Sequence, residues 1–299
     1  MPDVRAFIRS DRDQLLSLVN HHIAACLPGG SIPAAALLSH LEHDAREHVT
    51  EPWVVARHTI VAVEQDRLVA AAHLKRFSDD ARVSPSYNGA AEIDWCVFWP
   101  DRPEAGRAVL EASIEHLRAW GPRILYADGS LPAPATYGIP DAWPHVGQAL
   151  LEVGFSDADC RAEMIMAGRI ADVPPPGEPP AGIAVRRAVG PLGVAFEALS
   201  GDEVVGVFEA EDGYTRGGSA MTLAGWADES NHWVREDLRG RGIGSWLFRV
   251  GCEWLRLGGS TRLLAYASEG ADFPRVEAYY ATHGLRTIGR TRRGWSRLP

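Results

Sequence analysis

Residues 233–259 read WVREDLRGRGIGSWLFRVGCEWLRLGG. After Gly244 the apolar residues Trp246, Leu247, Val250, Trp254 and Leu257 recur at spacings of three and four, which predicts one face of an amphipathic helix. Before it, a strand is expected to end near Val234. Between strand and helix lies Arg239-Gly240-Arg241-Gly242-Ile243-Gly244. A strand that turns through glycines into a helix presents backbone N–H groups with no partner inside the helix. Those donors and the positive end of the helix dipole form an anion site. Glycine lets the main chain approach a pyrophosphate closely, and Arg239 and Arg241 add positive charge. No Gly-Lys-Ser/Thr follows, so this is not a P-loop, and the dinucleotide fingerprint G-x-G-x-x-G is absent from the segment.

Arg239-x-x-Gly242-x-Gly244 resembles the Arg/Gln-x-x-Gly-x-Gly/Ala signature of the GNAT superfamily of N-acetyltransferases, and the framing by Val234, Arg239, Gly240 and Gly242 is similar too. The resemblance implies that Val234, Arg239, Gly240, Arg241, Gly242, Ile243 and Gly244 hold the pyrophosphate and pantetheine of acetyl-CoA. It also implies that the strand over about 228–234 splays from its neighbour. A backbone N–H near Val234 would then polarise the thioester carbonyl. Downstream, Glu277–Leu285 is similar to the family's second signature, with Tyr280 and Gly284 at the Tyr-x-x-x-Gly spacing. That likeness gives Tyr280 the role of protonating the departing thiolate, chemistry open to a phenol of pKa about 10. For the base that deprotonates the amine, Asp228 is placed ahead of Glu229, and His232 is a lesser candidate. Strand alternation sends Asp228 and Glu229 to opposite faces, so at most one serves. Tyr279 and Cys252 are expected in the core, and His283 at the surface of the last helical turn.

Outward from this segment, Asp172–Gly182 reads DVPPPGEPPAG, with five prolines. Proline fixes φ and removes donors, which predicts a linker over 172–181 between domains at 1–171 and 182–299. The two sides repeat a pattern in the same order. Val61–Leu74 and Phe196–Ala210 each read as a hairpin, turning at Gln65-Asp66 and Gly201-Asp202. His116–Asp128 and Trp254–Ala267 each read as a helix end, a Gly stop and an apolar strand. Ala149–Phe155 and Ala278–Leu285 each read as a helix closed by glycine. The expectation is an α/β protein of two GNAT-like domains, each a mixed, mostly antiparallel twisted sheet flanked by helices. The first domain has a helical stretch over about 11–45 between its opening strand and its hairpin; in the second, Gly182–Val189 runs almost directly into the hairpin. Opposite the glycine turn the first domain reads Asp101-Arg-Pro-Glu-Ala-Gly106, where two carboxylates would repel a pyrophosphate. This copy is therefore expected to bind no CoA. Its long Pro/Gly/aromatic loop over 132–147 is a candidate wall for an acceptor pocket.

Of 299 residues, 46% are hydrophobic and 23% charged, which is the balance of a globular chain. A formal net charge of −9 argues against nucleic acid or an anionic membrane as partner. Cys26, Cys96, Cys160 and Cys252 lack zinc-ligand spacing, and they read as buried thiols in a reducing, cytoplasmic compartment. The chain is thus expected to be a monomeric or homodimeric acyltransferase moving an acetyl group from acetyl-CoA to the primary amine of a small molecule. It needs no metal in this reading. The alternatives are a non-catalytic acyl-CoA-binding or regulatory module, and a transferase using another acyl-CoA.

Overall fold

The computed structural model describes residues 2–42, 53–81, 83–212, 215–216, 219–220 and 225–299. Positions 43–45 of the helical stretch expected over 11–45 lie outside them. The chain packs as two compact units. The first takes Met1–Glu163, Thr215–Leu223 and Gly289–Pro299; the second takes Met164–Tyr214 and Ala224–Ile288. The last residues of the chain therefore complete the first unit.

In the first unit, β1 (Asp3–Ala6) leads to α1 (Arg12–Cys26) and α2 (Ala34–Glu42), then to the antiparallel hairpin β2 (Val54–Glu64) and β3 (Arg67–Phe77). The helical stretch is thus two helices, broken where Leu27-Pro-Gly-Gly-Ser-Ile-Pro33 supplies stops. Gln65 and Asp66 turn the hairpin with φ of 48° and 62°, the pair of positive φ values that suits strand twist. There follow β4 (Ala91–Phe98), α3 (Pro103–Ala119), β5 (Leu125–Ala127), β6 (Ile139–Pro140), α4 (Pro144–Glu152) and β7 (Arg161–Arg169), which passes into the second unit at Met164. The stretch expected as one loop over 132–147 thus contains a short strand and the first turn of α4. Proline at the first helical position, where no donor is needed, starts α4 there. The core packs α1, α2, α3 and α4 on the sheet, with Leu15, Leu18, Ile23, Trp95, Phe98, Leu110 and Trp143 almost fully buried.

In the second unit, β8 (Ala184–Val189) turns over residues 190–193 into β9 (Val194–Ser200) and β10 (Glu203–Asp212), with no helices between. β11 (Thr215–Arg216) and β12 (Ser219–Ala220) belong to the first unit; the second continues with β13 (Trp226–Val234), α5 (Ile243–Leu257), β14 (Arg262–Ser268), α6 (Phe273–Ala281) and β15 (Arg286–Arg293), whose end from Gly289 returns to the first unit with β16 (Trp295–Arg297). The second unit's eight-stranded sheet includes the run β7-β14-β13-β10-β9-β8. In the first unit the order is β1-β2-β3-β4-β5-β16, so the C-terminal strand closes the first sheet. The Pro-rich segment is no free tether: Trp246 Nε1 donates to Gly177 O at 3.1 Å, and Arg256 donates to Ile170 O and Val173 O. The architecture is mixed α/β, two mixed sheets flanked by helices. Among the described residues no helix is long and apolar enough to cross a membrane.

The repeat extends to register. In the first unit Leu74 faces Ile93 and His73 faces Trp95, leaving Asp94 as an extra residue in β4. In the second unit Ala210 faces Glu229 and Glu209 faces Asn231, leaving Ser230 as the extra residue in β13. Each bulged strand pairs in parallel with the next over three positions only, Ala91–Ile93 with Leu125–Ala127 and Trp226–Asp228 with Arg262–Leu264. Pairing stops where the bulge begins, because a bulge bends its strand and locally disrupts the ladder.

The buried face of α5 differs from the expected stripe. Ile243, Trp246, Leu247, Phe248, Gly251, Cys252 and Leu255 are buried. Trp254 is 36% and Leu257 77% exposed. The helix is rotated so that Gly251 lets Phe208 of β10 reach the helix backbone, and a small residue at that contact carries no hydrophobic signal.

Candidate active site

Three elements of the second unit converge on the bulge of β13. The first is the turn into α5. Gly240 and Gly242 adopt φ of 76° and 82°, left-handed values that disfavour side chains, and a Cβ at either would meet nothing within 4 Å. Gly242 caps α5 without a side-chain hydrogen bond, and the first turn carries no acidic residue. The first bond of the helix is Trp246 N–H to Gly242 O at 2.9 Å. The N–H groups of Ile243, Gly244 and Ser245 thus precede the first residue that can reach back into the turn. This end is an open nest of donors at the positive pole of a helix dipole. Arg239 donates from Nε to Val234 O at 3.1 Å, and Arg241 donates to Asp237 O at 3.3 Å. Both guanidinium groups lie on the surface beside the nest.

The second element is the splay of β13 and β14 beyond Asp228 and Leu264. It leaves 229–234 unpaired on the β14 side, as the sequence resemblance implied. Val234 ends β13 next to the nest: a Cβ on Gly244 would meet Val234 Cγ2 at 3.4 Å and His232 Nε2 at 3.6 Å.

The third element is α6. Tyr280 is buried in the core of the unit and its hydroxyl donates to Glu229 Oε1. Glu229 is itself buried, Oε2 has no hydrogen-bond partner, and His232 Nδ1 lies 3.3 Å from Oε1. Burial and the Glu229 charge push the Tyr280 hydroxyl far above the ordinary phenol range. It stays a proton donor at every physiological pH. Asp228 instead faces β14, where it accepts from Tyr266 Oη at 3.1 Å. The bulge thus turns Glu229, not Asp228, towards Tyr280.

Two further side chains lie in this cluster. Tyr279 packs against the core, as expected, and its buried hydroxyl lies beside Ser245 in the first turn of α5. His283, expected at the surface, is 1% exposed. It tucks its ring 4.6 Å from that of Phe248, because α6 ends at Ala281 and the following turn folds back beneath α5. Neither of its ring nitrogens has a partner, and burial lowers its pKa to about 4. Cys252 is fully buried, as expected, and its thiol is pushed above the ordinary range by burial.

In the first unit the equivalent helix start has different chemistry. There α3 begins at Pro103, with Glu104 in its first turn, and Gly106 packs against the Phe98 ring. A carboxylate and a proline at this helix start disfavour an anion there.

No protein-family model matches the chain, and no curated protein matches it. Solved structures do. A tandem GNAT protein from the clavulanic acid biosynthesis pathway superposes with a TM-score of 0.67 at 17% identity, over 100% of this chain and 98% of that one. A GCN5-related N-acetyltransferase from Sphaerobacter thermophilus gives 0.65 at 15% identity, over 99% and 95%. A GCN5-related glucosamine N-acetyltransferase region of a fungal multi-domain β-N-acetylglucosaminidase gives 0.64 at 15% identity, over 99% of this chain and 38% of that one.

Proposed function

The chain has the tandem GNAT fold, and from that premise we propose that its second unit is an N-acetyltransferase domain that uses acetyl-CoA and acts on the primary amine of a small molecule. The observation that carries the reading is the glycine turn at Arg239–Gly244, whose donors are uncapped and whose Gly240 and Gly242 face open space. The residues fit the co-substrate: three leading N–H groups and two arginines suit a pyrophosphate, and the unpaired edge of β13 over 229–234 suits an amide-bearing arm. Acetyl-CoA would supply an activated thioester there.

The chain's own groups then divide the proton work. Glu229 Oε2, buried and unpartnered, accepts a proton from the attacking amine. Tyr280 gives its proton to the leaving sulfur and recovers one from Glu229, to which it is already hydrogen-bonded. One proton leaves nitrogen and one reaches sulfur, and both groups end as they began. His232, 3.3 Å from Glu229, is placed to share that proton. Asp228, Glu229 and Tyr280 all remain candidates by position, and Glu229 is favoured over Asp228 because it meets Tyr280. The first unit, with Pro103 and Glu104 at its helix start, takes no CoA in this reading. Holding both reactants in one complex contributes much of the acceleration.

The test is thiol release from several acyl-CoAs against a panel of amines, with CoA affinity measured separately by calorimetry. Gly242→Glu sets a side chain on a left-handed residue and a carboxylate in the nest, so CoA binding should vanish. Binding retained by this variant sinks the reading; binding without turnover on any amine leaves a regulatory acyl-CoA module.

A further inference from the structure

The bulge that turns Glu229 inward in the second unit has a counterpart in the first, and there it carries Asp94. Asp94 is buried, and its two oxygens are divided. Oδ1 lies 3.0 Å from Lys75 Nζ and Oδ2 lies 2.8 Å from His40 Nε2. His73, opposite the bulge on β3, has no exposure at all. Its Nδ1 lies 2.9 Å from Thr59 Oγ1, and its Nε2 has no partner. A fully buried imidazole nitrogen without a partner is costly and calls for an explanation. His40 Nε2 is also in conflict. The Trp95 indole donates to it at 3.1 Å, which needs a lone pair, while the Asp94 oxygen asks the same atom for a proton.

We propose that His40, Asp94 and His73 of the first unit form a binding site for a divalent transition-metal ion of the zinc class. The donor atoms of the three residues already lie within 4.8 Å of one another. Two imidazoles and a carboxylate suit a borderline ion and leave a fourth position open. With Thr59 accepting from Nδ1, the proton of His73 is fixed there and the Nε2 lone pair faces the cluster, as an outer partner does for a metal-ligating histidine. Lys75 holds Oδ1, so the carboxylate offers Oδ2 alone. Two ligands of one tetrahedral ion stand about 3.3 Å apart; entry of the ion therefore widens the 2.8 Å His40–Asp94 pair by about half an ångström and replaces the indole contact at His40.

The measurement is Zn2+ titration of the full chain, freed of metal by chelator, followed by calorimetry, with Co2+ absorption in the visible as a second readout. One equivalent should bind, and Co2+ should give the d–d bands of a low-coordinate site. Asp94→Asn and His73→Gln should each abolish binding. Thr59→Val keeps shape and removes only the hydroxyl, so it should weaken affinity by about tenfold or more without loss of fold. Lys75→Met removes a competing cation and should bind at least as tightly. Failure of the wild-type chain to take up Zn2+, or stoichiometric binding that survives both ligand substitutions, overturns the proposal. Neither outcome depends on CoA binding in the second unit.

Discussion

A phenol hydrogen-bonded to a buried carboxylate gives the site a donor whose loss can be isolated. Tyr280→Phe removes one oxygen and keeps the ring that packs against Phe248. In the proposed mechanism kcat should fall by about 10²-fold, while CoA affinity stays within about twofold, since the pyrophosphate nest is untouched. Stopped-flow thiol release and calorimetry separate the two; equal losses in both would make Tyr280 a structural residue only. Glu229→Gln should fall further in kcat, because it removes the proton's destination. The sequence carried the Tyr280 spacing plainly, and alternation correctly divided Asp228 from Glu229. It could not say which of them faced Tyr280, since the extra residue at Ser230 resets the count and Ser-Asn-His bears no mark of a bulge. His283 escapes the sequence for a related reason: a polar residue after a helix end is ordinarily solvated, and only the fold-back beneath Phe248 buries it.

At the scale of elements, the placing of the nest depends on how α5 seats against β10. That contact is made by the backbone of Gly251, where an added Cβ would lie 2.1 Å from Phe208 Cε1. Gly251→Ala gains helix propensity of about 1 kcal/mol, yet overpacking costs about 1–3 kcal/mol and must also shift the helix or the ring. The net expectation is a loss of stability in urea melts together with weaker binding of the proposed co-substrate, since the first turn of α5 moves with its middle. A variant as stable as wild type would show that the contact is looser than drawn. Elements were the most legible scale in the sequence: both hairpins and their turns, the strand before the glycines and the glycine-closed helices were readable from alternation and stop signals. The seating of α5 was not, because its deciding residues are a glycine and a cysteine rather than Trp254 and Leu257.

The whole molecule carries buried histidines in both units, and these set its response to acid. Burial lowers His22 in the first unit to about 3 and His283 in the second to about 4, against about 6.5 in an unfolded chain. Above pH 6.5 both states are neutral and no stability depends on them. Below it the unfolded chain takes up protons the folded one refuses, so each histidine removes about 1.4 kcal/mol per pH unit until its folded value is reached. Urea midpoints should therefore fall steadily from pH 7 to pH 4 and flatten above 7; a flat profile through that window would contradict the burial of these rings. A second consequence concerns chain order. The Pro-rich stretch looks like the place to cut, but Gly289–Pro299 belongs to the first unit and Met164–Arg169 to the second. Trp295, 4% exposed, pairs with Ala127 on β5 and packs in the core of the first unit. Loss of a buried tryptophan costs about 3–5 kcal/mol, a large share of the 5–15 kcal/mol that holds a typical domain. A fragment ending at residue 171 lacks it and leaves the edge of β5 unpaired. Produced alone, 1–171 should show no cooperative thermal transition by near-UV circular dichroism, and co-expression with 172–299 should restore one. A sharp transition from 1–171 by itself would mean that the returning strand is an accessory to the first unit and not a part of its core.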